Sequence, residues 1–398
     1  MRGKGHGGGR CRGRIDVFKG CIVPEARSGI AAEVYDFGMA TCPHTVIGSE
    51  RFRLFGSIGS PYALKLRAIL RYRRLPFDWI PASLDWVPEG LSRPALSDIA
   101  RAEIAHVRPP VIPVVQFPRD GAYRNDSTWV AVALEAENAA RSIIPPDPGW
   151  AFLSHLLEDM ADEWGVKIAF HYRWAHEQDR VFKSRIVAGE LLGGGFDGST
   201  QIAAADHFAA RQFGRMPLVG CTQENAPLIE ETFRRVLAIT DEVLVFSTFL
   251  FGQRPTLADF GWYGQLQSLA TDPTPWAIMR KTSPGTFTYL QLLEDASGMN
   301  EDAWLDPASR PPRAALKLLK LAGEVYLPFL VANAQAFDQK RDTFDFLALG
   351  HRYSQATFKY QVKCLRWLKE ELAIVKGSSR EWAETILCET GCLDYLAS

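Results

Sequence analysis

A hydroxyl beside a proline marks the first place where this chain could do chemistry. In FGSIGSPYALKLRAILRYRRLPF, residues 55–77, a strand end passes through a short loop into a helix that opens Ser60-Pro61-Tyr62. Ser60 can be a helix N-cap and nothing more. Serine is favoured there, proline suits the next position, and such a cap contributes about 1 kcal/mol. Alternatively its hydroxyl can face a bound thiol, with the positive end of the helix dipole favouring the thiolate. Ser57 is a rival hydroxyl, but it belongs to the strand end rather than the helix start, which favours Ser60.

Other residue groups invite the same double reading. Pro113 in VIPVV would interrupt a strand, where proline normally marks an edge or a bulge. Asp126-Ser127 is an ordinary cap pair before the run TWVAVALEA. Thr256 and Asp259 in GQRPTLADF have the spacing of a capping box, a structural device. GGGFDG (193–198) has the Gly-x-Gly-x-x-Gly spacing, but it follows a helical stretch rather than a strand, so it reads as an interhelical loop. Met160, Trp164 and Lys167 share nearly one face of an aromatic-rich helical stretch, MADEWGVKIAFHYRWAHE. His171 and His176 miss the i, i+4 spacing of a helical metal pair, and Cys388 and Cys392 have no matching pair, so no metal is expected.

These residues need elements to position them. RFRLF alternates like a strand, and residues 60–74 form an amphipathic helix with Leu64, Ala68 and Leu70 inward and Lys65, Arg67, Arg71 and Arg74 elsewhere. PFDWI is a second strand. A less regular, partly helical stretch follows to about His106, and VIPVVQF-PRDG-AYR reads as a hairpin. Asp126 or Ser127 then caps a helix. The expected order is β-α-β-α-β-β-α over 51–144. PPDPG (145–149) breaks the pattern, and an all-helical unit is expected from 150 to 398. Helices are expected near 150–180, 199–214, 226–246, 257–270, 313–336 and 353–375, with 272–312 irregular. Residues 1–50, opening MRGKGHGGGRCRGR, cannot build a core and are expected to be disordered.

The totals set limits. With 398 residues, 47% of them apolar, the chain can bury a large core in two or three domains. A net charge of -1 argues against nucleic acid or an anionic membrane as partner. The apolar stretch 243–251 is too short to span a bilayer. Seven scattered cysteines read as reduced thiols, consistent with a cytoplasmic protein.

With that order in place, residues 52–270 resemble the glutathione S-transferase family. SPYALKLRAIL resembles the helix entry of its serine-type branches. VIPVV followed by NDS, then GQRPTLADF, are similar to its later motifs in order and spacing. The resemblance implies a thioredoxin-like domain followed by an all-α helical-bundle domain, glutathione as co-substrate, and a homodimer as the usual assembly. It implies that Ser60 donates to the glutathione sulfur. Ile112, before a cis Pro113, would pair its backbone with the cysteinyl part. Asp126 and Ser127 would hold the γ-glutamyl end, and helix 150–180, through Met160, Trp164 and Lys167, would meet the second substrate. Relatives often carry a basic residue just before Ile-Pro for the glycyl carboxylate. Here Pro109, Pro110 and Val111 stand there, and Arg108 is the nearest cation.

The chemistry can be sized. A free thiol of pKa about 8.5 is ~3% thiolate at pH 7, and lowering it by ~2 units gives ~75%. The lower basicity forfeits roughly eightfold in nucleophilicity. The net gain is about threefold, so holding the electrophile against the sulfur must supply most of the rate. The expected activity is transfer of the glutathione thiolate to a small apolar electrophile, or ether or halide cleavage by the same attack, as in detoxification. The alternative is a binding or scaffold protein that keeps the fold without turnover, favoured by the missing basic residue and the long segment 272–398. A glutaredoxin-like reductase is disfavoured because Ser60 stands where its cysteine would be.

Overall fold

The computed structural model describes residues 50–84 and 91–397. The expectation of a disordered segment therefore lies, but for Glu50, outside the described residues.

Four strands build the first unit. β1 (Phe52–Gly56) leads into α1 (Pro61–Tyr72), β2 (Phe77–Pro81), α2 (Leu96–Ile104), β3 (Val114–Gln116), β4 (Tyr123–Asn125) and α3 (Ser127–Ala133). The sheet order is β2-β1-β3-β4. β1 runs parallel to β2 and antiparallel to β3, and β3 pairs antiparallel with β4. That is thioredoxin-like topology, and its element order is the one read from the sequence. Apolar alternation explains the sheet. Leu54, with Phe52 and Val115, faces the main core under α1, while Phe55 and Val114 face a smaller cluster with Ala100 and Ile104 of α2.

The second unit opens at α4 (Pro148–Met160), capped by Asp147 through the amides of Gly149 and Trp150. One wide π turn, Ala161–Gly165, joins it to α5 (Val166–Ala175). α6 (Glu177–Leu192), α7 (Gly198–Gly214), α8 (Met216–Val219), α9 (Ala226–Asp241), α10 (Val243–Phe246) and α11 (Leu257–Leu269) follow. GGGFDG forms the turn between α6 and α7, with Asp197 capping α7 through the Thr200 amide at 2.9 Å. α11 runs against α1 at close range: a Cβ on Gly264 would lie 2.5 Å from the Pro61 carbonyl oxygen. That approach fixes where α1 begins, and with it Ser60.

Three expectations are corrected beyond residue 270. The stretch read as irregular contains α12 (Pro273–Thr282) and α13 (Pro284–Glu294). Both open on a proline, which is compatible with the first turn of a helix. After α14 (Arg313–Leu321), a second π turn and α15 (Leu327–Asp338), the chain makes a hairpin, so the second unit is helical but not all-helical. β5 (Thr343–Ala348) and β6 (His351–Ala356) pair through a two-residue turn, Leu349-Gly350, both at positive φ. The helix expected from 353 begins only at α16 (Lys359–Ile374), followed by α17 (Gly377–Glu389) and α18 (Leu393–Ala397). α15, α16 and α17 pack back on α4 and the hairpin, and one apolar core runs from Phe52 to Leu396.

Candidate functional site

The sheet register gathers the chemistry-bearing residues at one end. Phe55 pairs with Val114, and Val114 pairs with Asn125. The loop 57–60 leaving β1, the Ile112-Pro113 pair entering β3 and the Asp126-Ser127 pair leaving β4 therefore lie side by side.

Ser60 is the N-cap of α1, and its Oγ accepts from the Ala63 amide at 3.3 Å. It remains partly exposed. Ser57 is buried, and its hydroxyl donates to the Glu190 carboxylate of α6 at 2.7 Å. Glu190 also accepts from the Ile58 amide at 2.9 Å. Arg173 of α5 donates to the Gly59 carbonyl at 2.7 Å. The loop before α1 is thus clamped from the helical unit. Of the two hydroxyls, Ser57 is spent on a carboxylate and Ser60 on a single long cap bond.

The Ile112–Pro113 peptide bond is cis, as is Arg108–Pro109. Pro113 is buried and Ile112 partly exposed. Among the described residues, neither the N–H nor the C=O of Ile112 has a hydrogen-bond partner. Arg108 is exposed, and its guanidinium donates to the carbonyls of Ala105 and Val107 at 2.6 and 2.8 Å, just past the end of α2.

Asp126 sits at φ 71°, in the region side chains rarely adopt. Its carboxylate accepts from the amides of Thr128 and Trp129 at 3.1 and 3.4 Å, so the start of α3 is capped by the chain itself. Burial pushes this carboxyl above its usual range, against the pull of Lys65. Ser127 is buried, and its hydroxyl faces inward. It donates to Asp162 and accepts from the Lys65 ammonium, both at 3.3 Å.

That inward contact belongs to a buried polar cluster the sequence reading missed. Lys65, assigned there to the outer side of α1, is fully buried. Its ammonium bonds Glu158, and Asp162 at 2.7 Å, while the Thr128 hydroxyl donates to Glu158 at 2.6 Å. Burial alone would lower the pKa of Lys65, but the two carboxylates outweigh it and hold it above the ordinary value. Tyr62 donates to the Asp162 carbonyl at 2.9 Å. The available signal was EDMADE, which puts Glu158 and Asp162 four apart in an otherwise apolar helix.

The other face of α4 and its π turn grips the C-terminal part. His155 pairs with Glu371, the Tyr326 hydroxyl donates to Asp159 at 2.6 Å, and Gln361 donates to Glu163 at 3.1 Å. Met160, Trp164 and Lys167 are all fully buried here. The Trp164 ring lies 5.2 Å from that of Phe329 and 5.3 Å from that of Tyr353. The Lys167 ammonium donates to Val219 O at 2.9 Å and Gln355 Oε1 at 2.8 Å, above the Phe329 ring. Burial lowers its pKa to about 8. Trp164 and Lys167 therefore meet α15 and the β5–β6 hairpin.

Asp259 accepts from the Leu250 and Thr256 amides, the Thr256 hydroxyl and the Tyr289 hydroxyl, all within 2.8 Å. His171 contacts Glu230 at 3.2 Å. Among the described residues there is no group of three or more His, Cys, Asp or Glu side chains placed to hold a metal ion. None of their helices is long and apolar enough to cross a membrane.

No protein-family model matches the chain, and no curated protein matches it in sequence. Solved structures similar to it include a glutathione S-transferase from Methylobacterium radiotolerans in complex with glutathione sulfonate. The identity is 18%, the TM-score 0.37, and the match covers 66% of this chain and 100% of that one. FzlA from C. crescentus matches at 16% identity and TM-score 0.39, covering 67% and 99%. The beta-etherase LigF from Sphingobium sp. matches at 16% identity and TM-score 0.42, covering 60% and 93%. At these TM-scores the likeness is partial.

Proposed function

We propose that the end of the sheet at Ser60, Ile112 and Asp126 binds glutathione, and that the chain transfers its thiolate to a small apolar electrophile. The observation that carries this reading is Ile112. Its unpaired N–H and C=O, just before cis Pro113 and beside the loop into α1, form a short open strand edge. An extended γ-glutamyl-cysteinyl backbone would complete it as an added strand. Such a ligand would run its sulfur toward the start of α1 and its γ-glutamyl end toward Asp126. The Ser60 hydroxyl would then donate to the sulfur, and the helix dipole would favour the thiolate. In the transfer step the thiol proton passes to solvent, the sulfur lone pair forms the bond to the electrophilic carbon, and the leaving group departs with the bonding electrons. In this reading Arg108 would leave its carbonyl partners to meet the glycyl carboxylate. Because Asp126 already caps the first amides of α3, its role is to receive the γ-glutamyl ammonium, with Ser127 supporting that turn from within.

A second reading, binding without turnover, is favoured by the burial of Met160, Trp164 and Lys167. The face expected to meet an electrophile is covered by the chain's own aromatic rings. Calorimetric titration of glutathione separates these readings from their failure. Affinity at or below the millimolar range supports the site, and its absence with a folded protein overturns it. Turnover with model electrophiles then decides for the transferase. In that case Ser60→Ala lowers turnover far more than affinity, and an unchanged turnover would remove Ser60 from the mechanism.

A further inference from the structure

The turn between β1 and α1 places the amides of Ile58, Gly59 and Ser60, and two of them depend on one carboxylate from the other unit. Glu190, near the end of α6, accepts from the Ile58 amide at 2.9 Å and from the Ser57 hydroxyl at 2.7 Å. That hydroxyl accepts in turn from the Gly59 amide at 3.1 Å, so Glu190 reaches Gly59 through a single oxygen. The Ser60 amide closes the turn onto the Ser57 carbonyl at 2.8 Å. Trp79 of β2 brings its ring N–H to 3.4 Å from the same carboxylate. A carboxylate suits this task because it accepts from several donors at once.

The acceptor side of the turn is held as well. Arg173 of α5 donates to the Gly59 carbonyl at 2.7 Å, and is itself fixed by Asp272 at 2.7 Å and the Ser268 carbonyl at 2.9 Å. Arg173 and Asp272 are both buried. Packing leaves the turn no slack: a Cβ on Gly59 would lie 2.6 Å from Val187 Cγ2 of α6. Residues 57–59 are therefore held through both their donors and their acceptors by α5 and α6, and Ser60 follows with no residue between.

We propose that Glu190 is a positioning residue for Ser60, holding the turn that aims the Ser60 hydroxyl, so that the helical unit takes part in the chemistry at the end of the sheet. The role rests on the glutathione reading above. It acts through geometry and against its own charge. A carboxylate beside this turn disfavours a thiolate bound at Ser60, because like charges repel. Were charge its whole effect, removing Glu190 would help the thiol ionise. Removing a positioning residue instead loosens the Ser60 donor and hinders ionisation. The two roles shift the bound thiol in opposite directions.

A pH titration of glutathione bound to the full chain, read by the ultraviolet absorbance of its thiolate, tests this and needs no turnover. Glu190→Ala raises the pKa of the bound thiol by about 1. It also lowers kcat toward a model aryl halide by about tenfold or more, as expected when a reacting group is misplaced. The KM for glutathione stays within about twofold, since Ile112 and Asp126 are untouched. Glu190→Gln keeps an acceptor for the Ile58 amide and lies closer to the wild type on both readouts. Ser57→Ala cuts only the relay to Gly59 and shifts both the same way by less, which carries the test if Glu190→Ala does not fold. A bound thiol whose pKa is unchanged or lowered in these variants, while Ser60→Ala raises it, overturns the role of Glu190 and leaves the glutathione reading standing. If Ser60→Ala moves neither the thiol nor turnover, or the folded wild type binds no glutathione, the reading itself fails and the role of Glu190 falls with it.

Discussion

Two buried ionic residues set the strongest expectations for single substitutions. Lys65 is the cation set between the buried carboxyls of Glu158 and Asp162. Replacing it with methionine keeps the bulk but leaves both buried carboxyls without their cation, at a cost of about 3–5 kcal/mol. Chemical denaturation should show that loss, and Glu158→Gln with Lys65→Met should recover part of it. Asp259 ties four donors, so Asp259→Ala leaves each without an acceptor and should cost several kcal/mol, about 1–3 for each buried group that finds no new partner. A glutathione-binding isotherm unchanged in its folded fraction would show that this residue serves folding alone. Asp259 was legible because both members of its capping box lie within one helical turn. Lys65 was not, because its partners lie 93 and 97 residues away and a lysine on α1 reads as solvent-facing by default.

At the scale of the element, α4 and its π turn bind two units at once. Glu158 and Asp162 reach the thioredoxin-like unit, while His155, Asp159 and Glu163 reach the C-terminal part. Burial, the largest cause in each case, pushes Asp159, Asp162 and Glu163 up to about 6, 7 and 8. Carboxyls raised this way hold protons in the native state that the unfolded chain has released. Their contribution is complete below about pH 4, near the ordinary carboxyl values, and is lost as pH rises through 6 to 8. Burial lowers the pKa of His155, but Glu371 outweighs it and lifts it to about 10. Its share is present below its ordinary value of 6.5 and is lost above it. Lys167 and Lys183, lowered to about 8, act in the opposite sense, but only above that pH. Melting temperature should therefore fall from about pH 5.5 to pH 8, and Glu163→Gln should flatten the upper part of that slope. A profile that rises over this range would contradict the arrangement. Gly264→Ala belongs to this scale too. Its methyl group meets the Pro61 carbonyl and should displace the start of α1, lowering stability and any activity that depends on Ser60. The same elements show why the β5–β6 hairpin escaped notice. Its inward Phe344, Tyr353 and Gln355 are followed at once by the apolar row of α16, so the run from 353 satisfies a helical pattern with only a short strand hidden at its front.

For the whole molecule, the decisive fact is that residues 313–397 are not an appendage. They cover Trp164, supply the partners of His155, Asp159 and Glu163, and share the core that begins at Phe52. A chain ending at residue 312 should expose that face, bind a hydrophobic dye and lose its cooperative transition. The full chain should melt in one calorimetric step, because the main core runs through both units and only the small cluster beside α2 lies apart from it. The sequence could place the break at 145–149, where prolines interrupt periodicity, but not this closure, which depends on contacts across more than 150 residues.

The two-sided grip of α4 has a bearing on ancestry and engineering. A thioredoxin-like unit could be exchanged for that of another chain. This one carries a buried ammonium whose counter-charges reside in the other unit. A chimaera that swaps either side alone inherits half of an ion cluster. The two units can be exchanged only together, as a single heritable block.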